Sequence, residues 1–108
     1  MKRTLLIAGL LLATGVTLSA ADAKDNWTKN CAKCHGAEGK GDTAMGKKSG
    51  AKDYTDAKVQ AEFTDEQAFK AIKEGVKVED KKKMDPYGEK LSDDEIKALV
   101  SYIRAFKK

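Results

Sequence analysis

The sequence predicts an all-α domain of about three main helices joined by long loops. Two segments carry apolar residues at helical spacing, and each opens with a capping box. A third places Trp27 and Cys31 four residues apart, on one helical face. No run alternates apolar and polar residues convincingly enough to be a strand.

The chain opens with a different kind of segment. Lys2 and Arg3 precede an almost purely apolar run from Leu5 to Leu18, and Ala21-Asp22-Ala23 then offers small residues at the two positions a signal peptidase reads. Residues 1–23 are therefore expected to be a secretory signal peptide, leaving a domain of residues 24–108; cleavage after Ala21, read through Ser19 and Ala21, also fits. The competing reading is a membrane anchor. The run is only about 14 residues long, against roughly 20 needed to span a bilayer as a helix. No stable membrane insertion is expected once the signal is cleaved, and the destination is expected to be the periplasm.

In the first helix, Asp25 or Asn26 is expected to cap the start. Five glycines at 36, 39, 41, 46 and 50 then mark a loop. Gly36, Gly39 and Gly41 have the spacing of a nucleotide-binding turn, but that turn needs a preceding strand and a following helix, and neither is expected here. Thr64 to Glu74 reads as the second helix, with Thr64 and Gln67 as its capping box, Ala68, Phe69 and Ile72 as its apolar face and Gly75 as its stop. Val76 to Gly88 is charged and irregular, and contains Met84 and the only proline, Pro86. The third helix is the strongest: Ser92 and Glu95 form its capping box, and Ile96, Leu99, Val100, Ile103 and Phe106 recur at helical spacing.

Composition raises a difficulty. Of the 85 residues after position 23, only 12 are Leu, Ile, Val or Phe, while 35 are charged, with a net charge of +3. That charge is too small for a disordered polyelectrolyte, yet the core is thin. A domain this small and this polar usually needs a staple: a disulfide, a metal or another bound group.

Cys31-Ala32-Lys33-Cys34-His35 supplies one. C-x-x-C-H reads as a site of covalent haem attachment. Two thiols three positions apart near a helix end can each reach one vinyl group of the same porphyrin, and the next residue offers an imidazole to the iron from the same face. A Cys31–Cys34 disulfide is the bland alternative in an oxidising compartment. A thioredoxin-like pair would need a βαβ context. A structural zinc site would need four Cys or His ligands, and the chain has three in all. One covalent haem c is the expected cofactor, held at Cys31 and Cys34, with His35 as the proximal iron ligand.

His35 is the only histidine, so a second histidine cannot take the far side of the iron. A methionine thioether is the natural candidate, and it raises the reduction potential. Met1 leaves with the signal. Met84 reaches the opposite face after the chain has passed around the haem. Met45 is close to His35 in sequence, and nothing near it fixes its position. Met84 is the expected distal ligand, with Met45 and an open iron as the alternatives.

The domain resembles a small bacterial class I c-type cytochrome over nearly all of residues 24–108. The resemblance rests on Cys31-Ala-Lys-Cys34-His35-Gly36, Gly39-Lys-Gly41, Asp53-Tyr-Thr-Asp56, Phe69-Lys-Ala-Ile72 with Gly75, Met84, and Leu91-Ser-Asp-Asp-Glu-Ile96 leading to Tyr102-Ile-Arg104. It implies a cytochrome c-like fold wrapped around one covalent haem, thioethers at Cys31 and Cys34, and axial ligation by His35 and Met84. It also implies crossed N- and C-terminal helices that bring Trp27 towards Tyr102 or Phe106. Two departures stand out. Asp85 separates Met84 from Pro86, where many relatives have proline directly after the ligand methionine. Many relatives also have a proline downstream of the histidine whose carbonyl orients the imidazole; here another carbonyl must do so.

With both axial positions filled by protein, the iron has no place for a substrate. The expected function is therefore a soluble, monomeric one-electron carrier and not an enzyme. The alternative is a haem protein with an open distal site that binds or senses a small ligand. Lys33, Lys47, Lys48 and Lys81 to Lys83 are expected to border the haem and to steer the protein to acidic-faced redox partners. Nucleic acid is not an expected partner, because acidic residues are interleaved throughout.

Overall fold

The computed structural model describes residues 20–108. Most of the expected signal segment lies outside the described residues. The chain builds α1 (Ala20–Asn30), α2 (Ala32–His35), α3 (Ala44–Ser49), α4 (Ala57–Ala61), α5 (Asp65–Glu74), the strands β1 (Val76–Val78) and β2 (Lys81–Met84), and α6 (Asp93–Arg104).

The three main helices are α1, α5 and α6, and both capping boxes form as read. Thr64 and Gln67 satisfy each other's backbone N–H groups at the start of α5, and Ser92 and Glu95 do so at the start of α6. The expectation for α1 was wrong at its start. The helix runs through Asp25 and Asn26, so neither is a cap. Good helix formers upstream extend it, and Asn26 instead reaches Glu95 of α6 at 3.4 Å.

The core is where these helices meet. Trp27 of α1 is 1% exposed, and Ile96 and Leu99 of α6 are fully buried. Trp27 packs against Tyr102 and Phe106, with ring centroids 5.8 and 5.1 Å apart, which is the contact between terminal helices that the resemblance implies. Ile72 of α5 and Leu91 join the same cluster.

Three short features were not foreseen, among them α4, which Asp56 caps through a bond from Lys58 N–H. Within the glycine-rich stretch, Thr43 caps the small helix α3 through a bond from Gly46 N–H to its hydroxyl. In the segment read as irregular, β1 and β2 form an antiparallel hairpin, with Val76 opposite Met84 and a bulge after Val76. Its two-residue turn, Glu79-Asp80, has φ of +51° and +68°. Hairpin turns of that shape favour Asn and Gly, so the usual sequence signal was missing.

A polar frame holds the irregular segments to α6. Gln60, 5% exposed, donates from Nε2 to the carbonyls of Tyr54 (2.7 Å) and Ile103 (2.9 Å). Arg104 donates to the Gln60 carbonyl and side chain, to the Phe63 carbonyl and to Asp65, and its guanidinium lies 4.2 Å from the centre of the Phe63 ring. Each buried polar group of this frame thereby finds a partner.

Candidate functional site

Cys31 sits in the turn between α1 and α2, and Cys34 and His35 end α2. Their backbone is fixed by three successive carbonyls. Cys34 accepts from the Thr43 hydroxyl (2.8 Å), His35 from Gly41 N–H (2.7 Å) and Gly36 from the Trp27 indole (2.9 Å). Helix α3 lies so close that a Cβ on Gly46 would run into the Cys34 carbonyl. The two cysteines are free thiols, so the bland disulfide reading does not describe this structure. Burial pushes the Cys31 thiol up to about 12, with the nearby Cys34 adding to the effect.

The motif opens onto two adjoining cavities of about 380 and 240 Å³. Both are lined by Cys31, His35, Lys52, Tyr54, Ala71 and Met84; the larger adds Ile72, Leu99 and Ile103, and the smaller adds Cys34. The larger falls within the range of cofactor pockets, roughly 300–1,000 Å³. The structure thus brings all four expected site residues to one space. Met45 lines neither cavity and is 45% exposed.

Met84 is placed there by the hairpin. It ends β2, directly before a segment tied to the end of α5 by Tyr87 N–H to Ile72 O (2.9 Å) and Gly88 N–H to Lys73 O (3.0 Å). The Tyr87 hydroxyl donates to Asn30 O at 2.9 Å, which closes the smaller cavity against α1.

The residues present fit a haem c. Two thiols, one imidazole nitrogen and one thioether are a donor set suited to that group and to its iron. His35 Nδ1 is buried with no hydrogen-bond partner among the described residues, and burial lowers the imidazole's affinity for a proton. A neutral imidazole is the form that binds a metal. No group of three or more His, Cys, Asp or Glu suited to another metal occurs among the described residues.

The carbonyl expected to orient His35 is not identified by the structure. No carbonyl among the described residues accepts from His35 Nδ1. The imidazole instead meets two rings, Trp27 at 5.4 Å and Tyr54 at 5.5 Å between centroids. Tyr54 is a wall residue that periodicity could not find, because it stands alone among polar neighbours; the block Asp53-Tyr-Thr-Asp56 was its one signal. Of the lysines expected to border the haem, Lys83 lines one of these two cavities, whereas Lys52 lines both.

Comparison with known proteins points the same way. The family model described as cytochrome c oxidase, cbb3-type, subunit III matches residues 19–103. Among solved structures, the chain is similar to the KustC0563 c-type cytochrome. The two are 38% identical, with a TM-score of 0.71 over 81% of this chain and 99% of that one. A tyrosine-to-phenylalanine mutant of Kustc0563 gives 37%, 0.68, 80% and 99%. No match was found among curated proteins.

Proposed function

We propose, since the chain belongs to the c-type cytochrome family represented by subunit III of cbb3-type oxidases, that it is a one-electron carrier with a single covalent haem c. The observation that carries this reading is the convergence of Cys31, His35 and Met84 on one largely apolar cavity, with Cys34 beside it. When bound, haem c supplies a one-electron ferric–ferrous couple. Cys31 and Cys34 hold the group through thioethers. His35 binds the iron through an imidazole nitrogen, and Met84 offers its sulfur from the hairpin. Ile72, Leu99 and Ile103 keep water from the interior wall, which favours the less charged state of a buried centre. With His35 and Met84 both offered to a bound group, no protein-free position would remain for a substrate, so the role is that of a carrier and not of an enzyme.

The alternative with an open distal position is disfavoured by the placement of Met84, which is tethered on both sides at the cavity wall. We place the carrier in the periplasm, on the strength of the signal-like first 23 residues. No helix among the described residues is long and apolar enough to cross a membrane. Lys52 and Lys83 at the cavity, with exposed Lys33, Lys47, Lys48, Lys81 and Lys82, would favour an acidic-faced redox partner. Oxidation by such a partner should slow as ionic strength rises; a flat profile would reject the steering.

The ligation is tested by the far-red charge-transfer band of the ferric protein, which a methionine–iron bond produces. It should be present in the parent and absent in Met84→Ala. Survival of the band in that variant would remove Met84 from the iron.

A further inference from the structure

We infer that Lys52 and the Gln67 amide receive the carboxylates of the bound haem. The inference rests on the haem reading proposed above and deepens it. A haem carries two propionate carboxylates on the edge opposite its vinyl groups. Cys31 lines both cavities and Cys34 only the smaller, so the vinyl edge lies towards the smaller cavity and the carboxylates fall in the larger. An ionised carboxylate against an apolar wall is strongly disfavoured unless it meets a cation or hydrogen-bond donors. Much of the larger cavity is such a wall, built by Ala68, Ala71, Ile72, Leu99 and Ile103. Among its described lining residues, Lys52 is the one ammonium and Gln67 the one side-chain amide.

Both side chains are held at that wall. The main chain around Lys52 is tied to the loop that follows His35: Ala51 N–H donates to Gly46 O at 2.8 Å, and Tyr54 N–H to Gly39 O at 2.7 Å. A Cβ on Gly41 would stand 2.7 Å from the Lys52 carbonyl oxygen, so the two segments run in direct contact. From there the Lys52 side chain reaches the end of α4, where its ammonium pairs with Glu62 at 3.0 Å. Both partners are exposed, so the pair adds little stability by itself. What it does is tie a long, flexible side chain to one place beside the cavity. An ammonium has three N–H donors, so Lys52 can keep Glu62 and still bond a second carboxylate. Gln67 is set in the same manner. Its Oε1 accepts from Thr64 N–H at 2.9 Å in the α5 capping box, which fixes the amide by its carbonyl end. The NH₂ end is the one that donates to a carboxylate.

The haem-loaded protein in its ferrous, diamagnetic state gives the test. Nuclear Overhauser contacts should run from the propionate methylene protons to the Lys52 side chain and to the Gln67 amide. Propionate contacts to other side chains only, such as Lys83 at the smaller cavity, overturn the inference. Electrode titration at low salt gives a second readout. A cation beside a haem carboxylate disfavours the more positive ferric state, so Lys52→Gln should lower the reduction potential. Lys97→Gln makes the same charge change on α6, at a residue that lines neither cavity, and should leave the potential near that of the parent. An unchanged potential in Lys52→Gln, or an equal fall in Lys97→Gln, also overturns the inference. The contact measurement uses the parent alone and decides the matter even if a variant does not load. A parent without covalent haem overturns the carrier reading and this inference with it, whereas a loaded parent lacking these contacts overturns this inference alone.

Discussion

Gly75 lies directly against the main chain of Met84: a Cβ at Gly75 would stand 2.7 Å from the Met84 carbonyl oxygen. Gly75 also has φ of +81° and ψ of 178°, a region open almost only to glycine. The stop of α5 is thus the point that lets β2 pass close enough to bring Met84 to the cavity. Gly75→Ala should cost about 1–3 kcal/mol from backbone strain. It should also weaken the far-red methionine band, by pushing β2 away. Thermal unfolding followed with that band checks both effects.

The second prediction concerns what Met84 excludes. Met84→Ala should raise the affinity of ferric protein for added imidazole by about tenfold or more, because the ligand no longer competes with an occupied position. Met45→Ala, at an exposed residue away from the cavities, should leave that affinity unchanged. Titration of each variant followed by absorbance separates the two methionines.

Trp27 supplies the third. Its indole donates to the Gly36 carbonyl inside the core. Trp27→Phe keeps a ring and removes the donor. The Gly36 carbonyl keeps its bond from Gly39 N–H at 3.1 Å, so the loss is that of one hydrogen bond, about 0.5–1.5 kcal/mol. For a domain of this size, each kcal/mol lowers the melting temperature by roughly 4–8 °C. Calorimetry on the loaded variant should therefore show a clear drop, with the thioether bonds intact.

Acid stability gives the fourth. The Ser92 backbone N–H bonds the Glu95 carboxylate and holds its pKa below the ordinary value of 4.5. The folded protein therefore binds this proton less readily than the unfolded chain. The stabilisation is fully present above pH 4.5 and is lost as the pH falls through the lower, folded value. Glu95→Gln keeps the capping geometry but cannot titrate. Its stability should depend less on pH below 4.5 than that of the parent, as followed by helix content during acid titration.

The helices were legible because their signals are local. Ser92 and Glu95 are three residues apart, and Ile96, Leu99, Val100 and Ile103 mark one face, so neither needs knowledge of the rest of the chain. Cys31, Cys34 and His35 were legible for the same reason. The hairpin was not, since Glu79 and Asp80 take positive φ without the residues that usually announce it. Nor was the ring contact of Tyr54 with His35, which joins residues 19 apart through the Gln60 and Arg104 frame. Contacts set by tertiary placement leave only weak traces in sequence. Met84 falls between these cases. Elimination of the other methionines pointed to it, but the hairpin that delivers it was unforeseen.

Only 12 of 85 residues after position 23 are large aliphatics or Phe, and on the proposed reading the haem fills the two cavities and supplies the missing apolar body. The chain without haem should therefore be largely unfolded. Circular dichroism of a Cys31→Ser, Cys34→Ser variant should show little helix and no cooperative melt. A native-like melt would mean that the protein core suffices alone.

Covalent haem attachment is read out by the spectrum of the reduced protein in alkaline pyridine. One haem per chain should stay with the polypeptide after acid extraction and show the spectrum of a porphyrin with both vinyl groups saturated. No bound haem, or a haem that extracts freely with its vinyl groups intact, would contradict it.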